Sequence, residues 1–334
     1  MLQEIELGRS GIRVPAIGFG CAALLGRTGK KDSLRALGAA WDEGIRFFDT
    51  ARSYGYGESE ALLGAFLKGR RDQAVVATKF GILPAPQSGW KRVAKSAARS
   101  IVSMVPSARS LVRKAAGTQF SPNQFTIPVL HQSIEESLRM LGTHYVDILF
   151  LHSAPSSVLE QQDLLGAMGR LVDQGKVRLA GLSAEPAVVA TALERQTEPL
   201  RAMQFPCNVF DLLAAFSLVG KNETGMLLAA NHPFGGVARV QACRSILRRL
   251  SAVPHIDPAL KEKLGNIDDQ TLAEIVFDCI LRDTGIHIVI PSMMRVDHVR
   301  ANVRAATHSR FTSAEVQMIR DSLSAQHTVP AVAH

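Results

Sequence analysis

Eight short apolar segments alternate with stretches of helical periodicity along this 334-residue chain. The segments are rich in Val, Ile, Leu, Phe and Ala with few polar interruptions, as expected of strands that are buried on both faces. The predicted strands are Ala16–Cys21, Arg46–Thr50, Ala74–Phe80, Val146–His152, Arg178–Ser183, Arg201–Phe205, Met226–Ala230 and Ile286–Ile290. This alternation predicts an α/β fold, namely a (β/α)8 TIM barrel, with a doubly wound open sheet as the alternative.

Amphipathic stretches between the strands predict the helices that would surround such a barrel. They include Asp32–Glu43, Ser59–Leu67, Pro128–Leu141, Asp163–Gln174, Pro186–Arg195 and Asp269–Asp283. Before the first strand, segment Glu4–Val14 alternates around a Gly-Arg-Ser-Gly turn, which predicts an N-terminal β-hairpin at the bottom of the barrel. Because the chain shows no larger repeat and no linker, residues 1–334 are predicted to form a single barrel domain.

Two segments do not fit the alternation of strands and helices. Residues 82–125 form an insertion after the third strand, and residues 231–268 form a second long loop after the seventh. Both would leave the C-terminal face of the barrel, where the active sites of TIM barrels lie. Long connections on that face are commonly lids or binding loops, so both are expected to serve function.

The positive charge of the chain is concentrated in the first of these segments. The net charge is +8, and residues 82–125 contain seven basic residues and no acidic one, so the rest of the chain is nearly neutral. This local distribution argues against nucleic-acid binding by the whole protein. Within the segment, Trp90–Met104 has the pattern of an amphipathic basic helix. It is interpreted as a lid over the barrel; a pocket for an anionic or bulky substrate and a surface for a membrane or partner remain alternatives.

Cysteine usage and hydropathy indicate where the protein works. The four cysteines are scattered, form no CxxC pair and suggest reduced thiols in the cytoplasm. No apolar run is long enough for a transmembrane segment, and the acidic N-terminus lacks the features of a signal peptide. No His and carboxylate cluster falls at the strand ends, so a metal-dependent hydrolase is not predicted, and no metal is expected.

Four chemistry-bearing side chains fall at the ends of three consecutive predicted strands. Asp49 closes the second strand and Tyr54 follows it in a Gly-rich turn, while Lys79 and His152 close the third and fourth strands. On a barrel these positions would converge on one pocket.

Each of these residues also has a plain structural interpretation. Asp49 could cap a helix, Tyr54 could be a turn aromatic beside Tyr56, Lys79 could be a solvated strand end and His152 could be a core histidine. Their joint occurrence in this order favours a catalytic site.

Several blocks of the chain resemble the aldo-keto reductase family, in particular bacterial aldose and sugar dehydrogenase-like members. Segment Gly44–Gly64, which reads GIRFFDTARSYGYGESEALLG, resembles the signature around the family's catalytic Asp and Tyr. Ala77–Gly81 and Ser137–His152 are similar to the segments that hold its catalytic Lys and His. Later matches are Gly175–Ser183, Gln204 with Asn208, and Ile290–Ser292 with His298 and Asn302, so the resemblance runs from about residue 4 to 320.

The resemblance implies an NAD(P)-dependent oxidoreductase that interconverts a carbonyl compound (aldehyde, ketone or sugar) and its alcohol by hydride transfer. Tyr54 would be the proton donor and acceptor, and the ammonium of Lys79 is expected to lower the pKa of the phenol. Asp49 would hold Lys79, and His152 would orient the substrate oxygen. The substrate is expected to be a small molecule, and the oligomeric state is left open. The alternative is a cofactor-binding regulatory or scaffold barrel with little turnover, as in potassium-channel beta subunits.

The resemblance also implies a set of residues for the nicotinamide end of the cofactor. Ser183 and Gln204 would bind the carboxamide, although Ala184 replaces a frequent Asn. Asn231 falls where the family often has a stacking aromatic, which His232 or Phe234 could replace.

Pro291, Ser292, Arg295, His298 and Asn302 match the adenosine end. Many relatives have Lys and Arg at the positions of Ser292 and His298. Arg295 is then the best basic candidate for a 2′-phosphate, which favours NADP, with NAD possible. No GxGxxG follows the first strand, which argues against a Rossmann sheet.

Overall fold

A parallel eight-stranded sheet forms the centre of the molecule. The computed structural model describes residues 4–6, 12–26, 28–84 and 120–325. In chain order the described strands are β1 (Glu4–Glu6), β2 (Arg13–Pro15), β3 (Gly18–Gly20), β4 (Phe47–Asp49), β5 (Val75–Phe80), β6 (Leu83–Pro84), β7 (Phe120–Ser121), β8 (Val146–His152), β9 (Val177–Ser183), β10 (Leu200–Pro206), β11 (Leu227–Asn231) and β12 (Ile288–Ile290). The sheet runs in the order β12-β11-β10-β9-β8-β5-β4-β3, with every pair parallel.

Helices follow the strands and cover the outside of the sheet. The described α-helices are α1 (Lys30–Asp42), α2 (Ser59–Leu67), α3 (Ile127–Leu141), α4 (Gln162–Asp173), α5 (Pro186–Glu194), α6 (Leu212–Lys221), α7 (Val237–Ser251), α8 (Pro258–Lys263), α9 (Asp269–Phe277), α10 (Val296–Thr307) and α11 (Ser313–Ser324). Several begin at conventional caps: the side chain of Thr126 accepts the N–H of Val129 at α3, and Thr312 forms a capping box with Glu315 at α11.

The first and last strands of the sheet meet and close the barrel. The N–H of Val289 donates to the carbonyl of Ala16 at 3.0 Å, and the N–H of Gly20 donates to the carbonyl of Pro291 at 2.9 Å. Ile17 and Val289 form a parallel bridge. The predicted (β/α)8 barrel is therefore confirmed, and the open sheet is excluded.

Alternation along the strands divides the apolar side chains between two cores. Phe47, Ile148 and Phe150 point into the barrel, whereas Phe48 and Leu149 face the helices. Val14, in β2, and Ile12, just before this strand, also belong to the inner core.

The predicted N-terminal hairpin is formed by β1 and β2, which pair antiparallel and close the bottom of the barrel. Its turn, residues 7–11, lies outside the described residues.

The predicted helix Asp269–Asp283 is continuous but changes its pitch. It is α-helical to Phe277, and Asp278–Asp283 form a π turn. The carboxylate of Asp278 is fully buried, pairs with Arg282 and accepts a hydrogen bond from Ser309 Oγ at 2.6 Å. The periodicity of the sequence does not reveal this π turn, because Ser309, which contacts Asp278, lies in a distant segment.

The two long segments follow the C-terminal ends of β5 and β11. At the base of the first, β6 pairs antiparallel with β7. Residues 85–119, which include the predicted basic helix, lie outside the described residues. The second segment contains α7 and α8. Among the described residues, no helix has the length and apolar character needed to cross a membrane.

Candidate active site

A buried ammonium–carboxylate pair lies at the C-terminal end of the barrel. Lys79 Nζ donates to Asp49 Oδ1 at 2.6 Å and to Oδ2 at 2.7 Å, and it also reaches the carbonyl of Thr50 at 3.0 Å. Asp49 and Lys79 point inward because they continue the inner faces of β4 and β5. Both side chains are almost inaccessible to solvent, so each charge depends on the other for compensation.

Tyr54 reaches the ammonium from the loop after β4. Lys79 Nζ lies 3.3 Å from Tyr54 Oη. Three consecutive residues of the loop, Gly55, Tyr56 and Gly57, have φ of 59°, 59° and 89°. A Cβ at Gly55 would lie 2.8 Å from the carbonyl oxygen of Leu24, so the loop requires glycine there to turn back over the barrel mouth.

His152 completes the cluster from the end of β8. Its ring centroid lies 5.9 Å from that of Tyr54, at an interplanar angle of 84°. Burial, with a smaller contribution from the charge of Lys79, lowers the pKa of His152 to about 3. The imidazole is therefore neutral at physiological pH. Its Nδ1 is buried and has no hydrogen-bond partner among the described residues.

The acid-base properties of Tyr54 differ from the expectation. Burial raises the pKa of the phenol above 10.0, and this effect outweighs the lowering by Lys79; Asp49 raises the pKa further. Lys79 lowers the pKa of Tyr54, as expected. The prediction of a lowered net pKa was wrong, because a phenolate is poorly solvated in this pocket. Burial lowers the pKa of Lys79, but the interactions with Asp49 and Tyr54 together raise it by more, so the net pKa is raised.

The two predicted carboxamide ligands form a hydrogen-bonded chain that reaches the Asp49–Lys79 pair. Ser183 Oγ donates to Gln204 Oε1 at 2.7 Å, and Gln204 Nε2 donates to Asp49 Oδ1 at 3.0 Å. Both side chains are buried. The sequence offered no sign of this link between Gln204 and Asp49, which are 155 positions apart.

Asn231 closes β11 and is half-buried. Its Oδ1 lies 2.9 Å from His232 Nδ1, while Phe234 packs against the outer core. The assignment of Asn231, His232 or Phe234 to the nicotinamide ring stays a prediction.

A cleft of about 1110 Å³ opens where β12 leads into α10. Arg295 and His298 line it, and Asn302 is buried nearby on α10. Arg295 Nε donates to Asp297 Oδ1 at 3.0 Å, and its second contact pairs Nη2 with Oδ2 of the same carboxylate. His298 Nε2 lies 3.4 Å from an oxygen of Asp269. Pro291 and Ser292 adjoin Gly20 at the head of this segment.

Other charged residues of this cleft were not predicted. They are Asp32 and Arg35 on α1, Asp268 and Asp269 before and within α9, and Arg300 and Arg304 on α10. Their sequence context is that of ordinary solvated helix faces, so only the folded arrangement brings them together. No group of side chains suited to hold a metal ion occurs in the described part of the chain.

Comparison with known proteins identifies one family. The model "Aldo/keto reductase family" matches residues 16–324. Aldo-keto reductase YhdN from Bacillus subtilis is 30% identical over 209 residues, which cover 62% of this chain and 52% of that protein. L-galactose dehydrogenase from Arabidopsis thaliana is 26% identical over 321 residues, covering 90% and 87%. Probable aldo-keto reductase 1 from Glycine max is 31% identical over 209 residues, and its alignment, like that of YhdN, spans only about half the length of the relative.

The fold has close counterparts among solved structures. An aldo-keto reductase from Klebsiella pneumoniae in complex with NADPH superimposes with a TM-score of 0.67 at 21% identity, with 97% of this chain and 96% of that chain covered.

Proposed function

The chain belongs to the aldo/keto reductase family, and on that premise we propose that it is an NAD(P)-dependent oxidoreductase that interconverts a carbonyl compound and its alcohol. The observation that carries this proposal is the position of Lys79 Nζ, between the Asp49 carboxylate and Tyr54 Oη at 3.3 Å. A phenol next to a permanently paired ammonium, beside a neutral imidazole, is suited to pass a proton to or from a substrate oxygen.

The described residues fit a nicotinamide dinucleotide at two places. Ser183 and Gln204 would hold the carboxamide beside Asp49. Ser292, Arg295, His298 and Asn302 would hold the adenosine end, and the arginine-lined cleft suits its phosphates. The pair of Arg295 with Asp297 is exposed, so a phosphate can compete for the guanidinium at little cost. The bound cofactor supplies the hydride, because no side chain can do so.

The protein's own residues supply the proton. Because the pKa of Tyr54 is raised, the phenol is protonated at neutral pH and is ready to donate to a carbonyl oxygen during reduction. Lys79 stabilises the phenolate that remains, and Asp49 keeps Lys79 charged and in place. In the oxidative direction the same phenolate would accept the proton of the alcohol, so oxidation should increase toward alkaline pH.

His152 would orient the substrate oxygen. A neutral imidazole can donate one hydrogen bond without a competing proton transfer, and its lowered pKa keeps it neutral. Its position across the ring of Tyr54 supports a substrate oxygen between the two side chains.

A regulatory or scaffold barrel with little turnover is not favoured. Such a protein would not need a buried Lys79–Asp49 pair in contact with a phenol, and that cluster is complete here. Small carbonyl compounds or alcohols are the expected substrates. The four cysteines are free and buried, which supports a reducing compartment and hence a cytoplasmic location.

The test is a panel of aldehydes, ketones and sugars assayed with NADPH and NADH, with Tyr54→Phe as the matched control. Tyr54→Phe deletes the proton donor alone, so kcat should fall at least ~100-fold while the Kd for NADPH, measured by fluorescence, changes little. Wild-type kcat in the variant would disprove the role of Tyr54. NADPH binding without turnover of any panel member would instead support the scaffold alternative.

A further inference from the structure

Glu60, on α2, is a buried carboxylate behind the active site rather than in it. Its Oε1 accepts a hydrogen bond from Thr78 Oγ1 at 2.7 Å, and its Oε2 accepts one from Arg52 Nη1 at 3.1 Å. Glu60 is 1% exposed, Thr78 is fully buried and Arg52 is nearly so. Burial of a carboxylate is costly unless it is paired and hydrogen-bonded, as it is here.

The two partners of Glu60 belong to the two segments that carry the proton-transfer pair. Thr78 directly precedes Lys79 on β5, and alternation turns Thr78 outward to α2 while Lys79 faces the barrel interior. Arg52 lies two residues before Tyr54 in the loop after β4. One carboxylate therefore connects the strand of the ammonium to the loop of the phenol.

The loop that carries Tyr54 needs such a connection, because its backbone is in a costly conformation. Gly55, Tyr56 and Gly57 lie in succession in the left-handed region, and Tyr56 has a Cβ that this region disfavours. Residues in such conformations persist only where the surrounding structure fixes them. The buried ion pair of Arg52 with Glu60 is anchored to α2 immediately after this loop.

We propose that Glu60 is a positioning residue for the Tyr54–Lys79 pair. By holding Arg52 and Thr78 together, its carboxylate fixes the distance between the phenol oxygen and the ammonium, which is 3.3 Å. The inference rests on the proposed function, in which that distance governs proton transfer. A displacement of about 1 Å in such a pair is enough to reduce turnover about 100-fold.

The first test is Glu60→Gln, which keeps the size of the side chain and removes the charge that pairs with Arg52 Nη1. Glu136, which lies 4.0 Å from Arg52 Nη2, keeps its charge in this variant. We expect kcat for aldehyde reduction to fall roughly 10- to 100-fold, with KM and the Kd for NADPH within about twofold. A phenol that has moved away from Lys79 holds its proton more tightly. The alkaline limb of the reduction rate should therefore shift to higher pH.

Asp147→Asn is the matched control at the other end of the barrel. Asp147 is also a buried carboxylate paired with an arginine, Arg71 at 2.8 Å, but it lies away from the catalytic cluster. Both variants should lower Tm by a similar amount, on the order of 5 °C. Only Glu60→Gln should change kcat and the pH profile. If both variants reduce kcat equally, or if neither does, Glu60 merely stabilises the fold and the proposal is overturned.

A second pair of variants tests the proposal if Glu60→Gln does not fold. Thr78→Val removes only the hydroxyl that donates to Glu60, and Thr78→Ser retains it. We expect kcat to fall about 3- to 10-fold in Thr78→Val, with the same alkaline shift, and to be restored in Thr78→Ser. An unchanged kcat in Thr78→Val would contradict the proposal.

A readout without turnover separates this proposal from the proposed function. In the cofactor-free protein, tyrosinate absorbance is titrated with pH, and Tyr54→Phe identifies the contribution of Tyr54 among the three tyrosines. That contribution should appear at higher pH in Glu60→Gln than in the wild type. If the wild type reduces no carbonyl but the shift is present, the positioning role stands and the proposed function fails. If the shift is absent, the positioning role is wrong whatever the activity.

Discussion

The two ends of the barrel each bury a carboxylate–cation pair, but they use different cations. At the bottom, Asp147 near the start of β8 accepts from Arg71 Nη2 at 2.8 Å, from Arg178 Nη1 at 3.1 Å and from the N–H of Val76 at 2.9 Å. At the top, Asp49 accepts from Lys79 Nζ, which in turn contacts a phenol. An arginine cannot lose its proton in a protein, whereas an ammonium and a phenol can exchange charge.

Two histidines, one at each end of the barrel, differ in whether their Nδ1 atoms have a hydrogen-bond partner. His287, just before β12 at the bottom, accepts the N–H of Leu228 at its Nδ1 at 2.9 Å, and burial lowers its pKa. His152, at the top, is also neutral, but its Nδ1 has no partner in the described part of the chain. A satisfied imidazole contributes to the fold, while a buried ring nitrogen without a partner needs another explanation, such as a functional role. The bottom of the barrel therefore uses arginine charges and satisfied hydrogen bonds, and the top uses an ammonium in contact with a phenol and an imidazole nitrogen without a partner among the described residues.

The largest effect expected from this comparison is that of Lys79→Met. The variant removes the cation that stabilises the phenolate, so kcat should fall at least ~100-fold, and the pH optimum of any residual rate should shift upward. It also leaves the buried Asp49 carboxylate without its cation, with only the hydrogen bond from Gln204 described for it, which should cost about 3–5 kcal/mol in the free energy of unfolding. Steady-state kinetics and urea denaturation measure the two losses. Appreciable activity with an unchanged pH profile would disprove the coupling of Lys79 to Tyr54.

Asp147→Asn should lower the stability of the fold and leave kcat nearly unchanged. The variant removes the negative charge that pairs with Arg71 and Arg178, and Arg178 is half-exposed, so the free energy of unfolding should fall by about 2–4 kcal/mol. Because no titrating group of the active site contacts Asp147, kcat should stay within about twofold of the wild type. A loss of activity comparable to that of Lys79→Met, in protein shown to be folded by circular dichroism, would contradict the division of roles between the two ends.

A smaller effect is expected from His152 on acid stability. Its folded-state pKa of about 3 lies below the ordinary value of 6.5, so the unfolded chain takes up the proton more readily. Stability from the neutral imidazole is complete above pH 6.5 and is lost as the pH falls from 6.5 toward 3, by about 2 kcal/mol when pH 5 is reached. Urea denaturation of the wild type and His152→Gln at several pH values should show a flatter acid limb in the variant. Parallel curves would exclude this contribution.

The smallest effect concerns the exposed pair of Arg295 with Asp297 in the cleft. If Arg295 binds a 2′-phosphate, Arg295→Ala should raise the Kd for NADPH about fivefold to tenfold and should leave the Kd for NADH nearly unchanged. Fluorescence titration with both cofactors measures the ratio, and Arg300→Ala, in the same cleft, tests whether the effect is specific to Arg295. Equal changes for both cofactors would show that Arg295 does not read the phosphate.

Much of the fold and of the candidate site could be predicted because the signals are local. The apolar run Val146–His152 has the same bounds in the structure, and helix Ser59–Leu67 does as well. Asp49, Lys79 and His152 could be assigned to one pocket because the C-terminal ends of barrel strands converge. Arg295 of the cleft could be assigned, but the other arginines could not, since Arg35 and Arg300 come from helices at opposite ends of the chain.

The sequence by itself determined the barrel, because the alternation of buried strands with amphipathic helices leaves few other solutions, and it determined which side chains stand at the strand ends. Only the tertiary structure decided their chemistry. Burial, rather than the nearby ammonium, sets the direction of the Tyr54 pKa shift, and the depth of the pocket keeps His152 neutral. Glu60 acquires its role in the same way, from two partners that only folding brings to one carboxylate. Desolvation and long-range hydrogen bonds depend on which atoms surround a group in space, and no local pattern of residues specifies them.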